Sequence, residues 1–221
     1  MPALITGPDG ALKYLLAPMV VYTSLVGTRG TLTLFRYAPA AKELKGLASW
    51  SERIERKFLL SYVDPGFSNG RYSIGASATH FKNATLRFFG LGPTTAKRDQ
   101  TNYTASETRA NWKFGVYAND VTQLALSQRL RHMQPIQQGV TELPFTGATF
   151  PNVPGVEGAT ILGQRVSFHY DTRDNLITPT DGAAITAYAE LNYNLRNRDN
   201  PLYSRYELEV KKLFASDSKR A

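Results

Sequence analysis

The sequence predicts an all-β chain, an antiparallel up-and-down sheet of about nine strands forming part of a transmembrane β-barrel. Three observations predict it. Apolar and polar residues alternate with a period of two along most of the 221 residues, as happens when successive side chains point to opposite faces of a strand. Several alternating runs are far longer than the roughly 5–6 residues of a typical soluble strand. Short turns also alternate with longer connections, the asymmetry between the two ends of a membrane barrel.

The strands follow in order. Residues 12–23 and 29–37 open the pattern. In residues 46–62, Trp50, Ile54, Phe58, Leu60 and Tyr62 share one face, while Ser49, Ser51, Arg53, Glu55 and Lys57 share the other. Residues 70–82 alternate more loosely. Residues 103–118 alternate best: Ala110, Trp112, Phe114, Val116 and Ala118 oppose Glu107, Arg109, Asn111, Lys113 and Tyr117. Residues 121–133 and 161–173 again follow loosely. In 182–195, Ile185, Ala187, Ala189, Leu191 and Tyr193 oppose Thr186, Tyr188, Glu190, Asn192 and Asn194. In 203–214, Tyr206, Leu208, Val210 and Phe214 oppose Arg205, Glu207, Glu209 and Lys211. The tight reversals fall at Asn119-Asp120 and at Asp174 to Gly182; the long connections are 87–102 and 134–160. Strand 103–118 would then descend toward the short turns, and the strands at both ends of the chain would descend as well.

In a barrel only one face of each strand meets lipid, and closure satisfies the backbone. Mean hydropathy then stays low, as it does here at −0.31. Trp50, Phe58, Trp112, Phe114, Val116, Ile185, Leu191 and Leu208 are the residues expected to face lipid. Arg53, Glu55, Lys57, Glu107, Arg109, Lys113, Arg165, Glu190, Arg205 and Glu207 are expected to line the lumen. Trp50 and Tyr62 sit near run ends, where an aromatic girdle would lie. The longest apolar stretch, Tyr14 to Tyr22, is far short of the roughly 20 residues a spanning helix needs.

Composition narrows the function. The net charge is +8, but the basic residues are scattered rather than clustered, which argues against nucleic acid as a partner. There is no cysteine. His80, His132 and His169 lie far apart in sequence, without zinc-site spacing. Gly90-Leu91-Gly92 lacks the third glycine of a dinucleotide fingerprint, and no G-x-S-x-G nucleophile elbow occurs. No catalytic residue, metal or cofactor is expected, and the chain is expected not to be an enzyme.

Single-chain bacterial barrels have an even number of strands. An odd count, the charged end ASDSKRA and an opening MPALITGPDG without the pattern of an export signal together suggest a single partial barrel domain over 1–221. Strands at both ends would then lie outside it.

One segment goes beyond alternation. In Arg165 to Leu191, a strand ending in YDTRDN leads into a turn carrying PTDG and a second amphipathic strand. It resembles the barrel of the bacterial surface antigen family, the BamA- and TamA-type outer-membrane proteins. The matching positions are Asp171, Arg173, Asp174, Asn175, Pro179 and Gly182. FFGLG at 88–92 followed by Tyr103, and the opening YTSLVGTRG, resemble the family more weakly. Two family marks, upstream POTRA domains and an Arg-bearing VRGF loop, are not among these residues.

The resemblance implies an integral outer-membrane protein that inserts or translocates other proteins, with membrane lipid and client proteins as partners. A passive pore or anchor, with a lumen favouring anions, is the first alternative. A soluble β-sandwich binding a ligand is the second. Within DTRDN, Asp171 and Arg173 point to one face and suit a charge network across strands, or the motif serves only as a turn that fixes register.

Overall fold

The computed structural model describes residues 3–6, 12–38, 42–93, 95–175, 178–196 and 202–214. Its eleven strands are β1 (Ala3–Thr6), β2 (Leu12–Thr23), β3 (Gly27–Ala38), β4 (Lys42–Ser51), β5 (Arg56–Phe67), β6 (Tyr72–Phe88), β7 (Thr101–Asn119), β8 (Thr122–Met133), β9 (Ala159–Asp171), β10 (Gly182–Asn194) and β11 (Leu202–Leu213). Each pairs antiparallel with the next, giving one sheet in sequence order. Among the described residues β1 pairs only with β2 and β11 only with β10, so the sheet is not closed. Among the described residues there is one sheet and no second packed layer, which removes the β-sandwich alternative.

The strand count exceeds nine for two reasons. A short strand, β1, precedes the first predicted one, and residues 46–62 form two strands rather than one. The chain reverses at Glu52 to Glu55, where the amide of Glu52 bonds to the carbonyl of Thr28 at 3.0 Å and that of Arg53 to Val26 at 3.2 Å. Ile54 takes φ 58° there, a conformation that β-branched residues rarely adopt. The alternation could not reveal this reversal. Trp50 pairs with Arg56 and Ala48 with Phe58, so even-numbered residues stay on one face through the hairpin. The added reversal also changes direction upstream: the strand at residues 12–23 ascends, and β1 is the descending one at that edge. The tail ASDSKRA lies outside the described residues.

Burial is inverted relative to a soluble domain. Trp50, Phe58, Leu60, Trp112, Phe114, Leu124, Leu126 and Val166 are exposed, whereas Glu107, Gln123, Glu190 and Asn192 are buried. The buried apolar residues are only Val26, Ala84, Ala125, Ala159 and Ala184 among those described. The side carrying Trp112 and Phe114 is here the apolar face, and the side carrying Glu107 and Glu190 the polar face.

The two ends also differ. At one end, the turn end, β7 and β8 reverse directly after Asn119. At the other, the loop end, residues 134–158 form a long connection containing a single helical turn, α1 (Thr146–Thr149). This loop docks on the top of β7, which outruns β8. Gln134 donates its amide to Ser106 at 3.0 Å, Thr104 and Gln137 exchange amide bonds at 2.7 and 3.1 Å, and Asn102 donates to Pro144 at 2.9 Å. The loop thereby satisfies backbone groups that β8 leaves unpaired. Beneath it Thr101, Asn102 and Thr104 are buried, as is Thr146 of α1.

Candidate functional site

The polar face of β6 to β11 gathers the chemistry. Glu107 on β7 is 4 % exposed and accepts two bonds from Arg131 on β8, from Nε at 2.6 Å and Nη2 at 2.8 Å. Arg109 donates Nε to the same carboxylate. Glu190 on β10 is 3 % exposed and is held by Arg129 Nη2 at 2.6 Å and Arg165 Nη2 at 2.5 Å. Two guanidiniums per buried carboxylate supply the charge-assisted hydrogen bonds that such a group requires. They also leave each cluster with an excess positive charge.

The register explains how these groups meet. Arg129 must cross β9 to reach β10, and the residue directly opposite it is Gly163. A Cβ at Gly163 would lie 2.8 Å from Asn192 Oδ1, so the missing side chain leaves the lane for the guanidinium. A second crossing lies toward the turn end, where Gln123 Nε2 on β8 donates to Ser73 Oγ on β6 at 2.9 Å. Lys113 Nζ donates to Gln123 Oε1 at 3.1 Å. The network then reaches the sheet edge: Arg165 lies 3.8 Å from the centroid of the Tyr188 ring, and Tyr188 Oη donates to Glu207 Oε2 on β11 at 2.7 Å. Arg205 Nη2 donates to Glu207 at 3.2 Å. A cavity of about 430 Å³, lined by Ser61, Ser73, Asn111, Lys113, Arg165 and Glu190 among others, opens on this face.

The remaining residues singled out in the sequence distribute as follows. Lys57, opposite Ser49, is on the polar face and exposed. Glu55 lies at its loop end, 3.3 Å from Arg29 Nη1. Arg53 is not on a strand face: it sits in the β4–β5 turn with Nη1 donating to the carbonyl of Leu25 at 3.5 Å. Trp50, Phe58, Trp112, Phe114, Val116, Leu191 and Leu208 are exposed on the apolar face, and Ile185, half-buried, is beside them.

The DTRDN segment forms a self-contained turn. Arg173 donates Nε and Nη2 to Asp171 at 2.9 and 2.6 Å. Asp174 accepts from the Thr180 amide at 2.9 Å, the Thr180 hydroxyl at 2.5 Å and the Asp181 amide at 3.2 Å. These donors hold its carboxyl well below the ordinary range, at about 2, the Thr180 hydroxyl contributing most. Asn175 Oδ1 accepts the Thr178 amide at 3.1 Å, and Pro179 is half-buried. Gly182 takes φ 106°, and a Cβ there would meet the Thr172 carbonyl at 2.5 Å. Among the described residues the Asp171 carboxylate pairs with Arg173, and His169 Nε2 lies 3.8 Å from it, so its neighbours are on β9 and the turn rather than across strands.

A sequence model of the Omp85 superfamily domain matches residues 40–219. The chain belongs to the Omp85 superfamily. This agrees with the surface-antigen resemblance read from the DTRDN-to-PTDG segment. The Omp85 match takes in β4 to β11, and with them both carboxylate clusters and the DTRDN turn. Comparison with curated proteins gives no match.

Sequence reasoning missed Arg129, Arg131 and Gly163. Arg129 and Arg131 share the polar parity of β8 with Gln123 and Ser127, opposite Leu124, Leu126 and Leu130, and that was the available signal. Gly163 had none, because its role depends on what crosses above it.

Proposed function

We propose that this chain is an integral outer-membrane β-barrel protein of the Omp85 superfamily that inserts or translocates other proteins and performs no covalent chemistry. The observation that carries the reading is the inverted burial: large apolar side chains stand exposed on one face while carboxylates are buried on the other. An apolar face made of Trp112, Phe114, Leu126 and Val166 gains free energy when hydrocarbon replaces water, at about 25 cal/mol per Å². The polar face would then line an aqueous interior. The long-loop end would lie outside the cell and the DTRDN turn at the periplasmic end, following the asymmetry of outer-membrane barrels.

Fractionation of cells expressing the full-length gene tests the location. Recovery in outer membranes and resistance to carbonate extraction are expected; recovery in the soluble fraction without detergent overturns the reading. Depletion tests the role in inserting or translocating other proteins, and loss of such proteins from the outer membrane is expected.

One observation favours a second reading, a passive pore. Each buried carboxylate of the polar face is outnumbered by two arginines, so a lumen lined by them favours anions. Anion-selective conductance in planar bilayers, with no protein lost on depletion, would decide for the pore.

A further inference from the structure

On the apolar face, cross-strand pairing defines rows that run across the sheet. One row near the loop end reads Val20, Gly30, Trp50, Arg56, Lys82 and Ser106. The next row holds Phe58, His80, Thr108, His132 and Thr160. Below it come Leu60, Ala78, Ala110, Leu130 and Leu162, and the band becomes apolar. Arg56 and Lys82 are therefore direct cross-strand neighbours, flanked by the exposed Trp50.

Two like charges opposite one another destabilise a sheet, and nothing among the described residues neutralises this pair. The Arg56 guanidinium donates to the carbonyls of Ser51 and Glu55, both at 2.7 Å, and Lys82 Nζ to Gln137 Oε1 at 3.4 Å. The nearby Glu55 carboxylate is turned to Arg29 on the other side of the sheet. At the turn end the same face behaves differently: Lys42 is paired with Asp64 at 3.0 Å.

We propose that Arg56 and Lys82 bind the phosphate of an anionic lipid in the leaflet at the loop end. Both cations stand two rows above the apolar band and one row above Phe58, at the depth where a headgroup phosphate lies when the acyl chains cover Phe58 and Leu60. Trp50 belongs at the same depth, because its amphipathic ring favours the interface. The half-buried Arg56 guanidinium binds those carbonyls through Nη1, and its remaining N–H groups suit phosphate oxygens. This inference rests on the outer-membrane reading above.

The full chain is reconstituted in nanodiscs of equimolar phosphatidylcholine and phosphatidic acid, and co-retained lipid is counted by native mass spectrometry. Phosphatidic acid is expected to be retained preferentially. Arg56→Gln and Lys82→Gln each reduce that preference, by about fivefold per charge removed, while Arg56→Lys keeps it. Lys97→Gln, in the exposed loop at the same end, leaves it unchanged. Inorganic phosphate is expected not to displace the lipid; displacement would reassign the pair to free phosphate and overturn the lipid proposal. Unaltered preference in both glutamine variants, with insertion intact, overturns this inference alone. Failure of the unmodified chain to enter the bilayer overturns the outer-membrane reading instead.

Discussion

Strands β7 to β10 and strands β2 to β4 are parts of one continuous sheet, yet their polar-face sides differ. Between β7 and β10 that side carries Glu107, Arg109, Arg129, Arg131, Arg165 and Glu190 in two compact ion-pair clusters. On β2 the same side carries Leu15, Ala17, Met19 and Val21; on β3 and β4 it carries Thr31 and Ser49, whose hydroxyls bond at 2.8 Å, with Arg29, Glu43 and Lys45 as its charged residues. Met19 and Glu107 even belong to one cross-strand row, through Thr31, Ser49, Lys57 and Phe81. Sheet geometry therefore does not dictate polarity. A charged face forms where neighbouring strands supply partners in register, and β2, with apolar residues on both sides, has none to offer.

The largest expected effect tests the apolar face that both regions share. Phe114→Arg should impair insertion by up to about 4 kcal/mol, the cost of a guanidinium near the bilayer midplane. Trp112→Arg, one row closer to the loop end and beside Gln128 at 3.1 Å, should cost about 2 kcal/mol on the same depth dependence. Folding titrations in lipid vesicles measure both. Lys113→Ala, on the polar face, should change little; an effect equal to that of Phe114→Arg would contradict the assignment of faces. The sharpening partner is Met19→Arg. If water bathes that side of β2 as it does the side of β7, the change stays within about 0.5 kcal/mol. A cost matching Phe114→Arg would mean that apolar matter covers β2 on both sides.

Next in size is Glu190→Ala. It leaves Arg129 and Arg165 facing each other without their carboxylate, and breaking a buried pair from one side costs about 3–5 kcal/mol. The two arginines are 37 % and 29 % exposed, so water relieves part of this and about 3 kcal/mol is expected. Denaturant titration checks it. Restoration of stability by a second change, Arg129→Gln, would show that the loss comes from the stranded charges rather than from the packing of Glu190.

How much of this was readable from residues alone follows from the same physics. The alternation in β7 and β10 is strong because the two faces meet different surroundings, so both strands and their facing were legible. The hairpin at Glu52 to Glu55 was not, because its register keeps parity and its turn carries none of Gly, Pro, Asn or Asp. The ion-pair clusters were half legible: the charges declare themselves by parity, but which arginine meets which glutamate depends on register. The docking of residues 134–158 onto β7 left no periodic trace, since many of its bonds are made by backbone amides that any residue supplies, and the side-chain bonds of Asn102, Thr104 and Thr146 depend on how the loop folds back.

A smaller effect isolates geometry from charge. Gly163→Ala adds one methyl beneath the lane that Arg129 takes to Glu190, and overpacking of this kind costs about 1–3 kcal/mol. Met19→Ala on β2 removes side-chain volume from an exposed position and should leave the chain nearly unchanged, within about 0.5 kcal/mol. Equal losses at both positions would mean that the crossing contributes nothing special.

The smallest effect is the one that pH controls. Asp174 anchors the turn between β9 and β10 by accepting bonds from Thr180 and Asp181 as a carboxylate. Its folded-state value of about 2 lies below the ordinary 3.8, so the unfolded chain takes up this proton first as pH falls. The contribution to stability is thus complete above the ordinary value and is lost between there and about 2. Amide exchange at Thr180 and Asp181 should accelerate over that interval and stay constant above it, and Asp174→Asn should remove the step. Acceleration beginning near neutral pH would assign the turn's strength to some other titrating group. The turn would then depend, like the clusters of β7 to β10, on partners contributed from outside it.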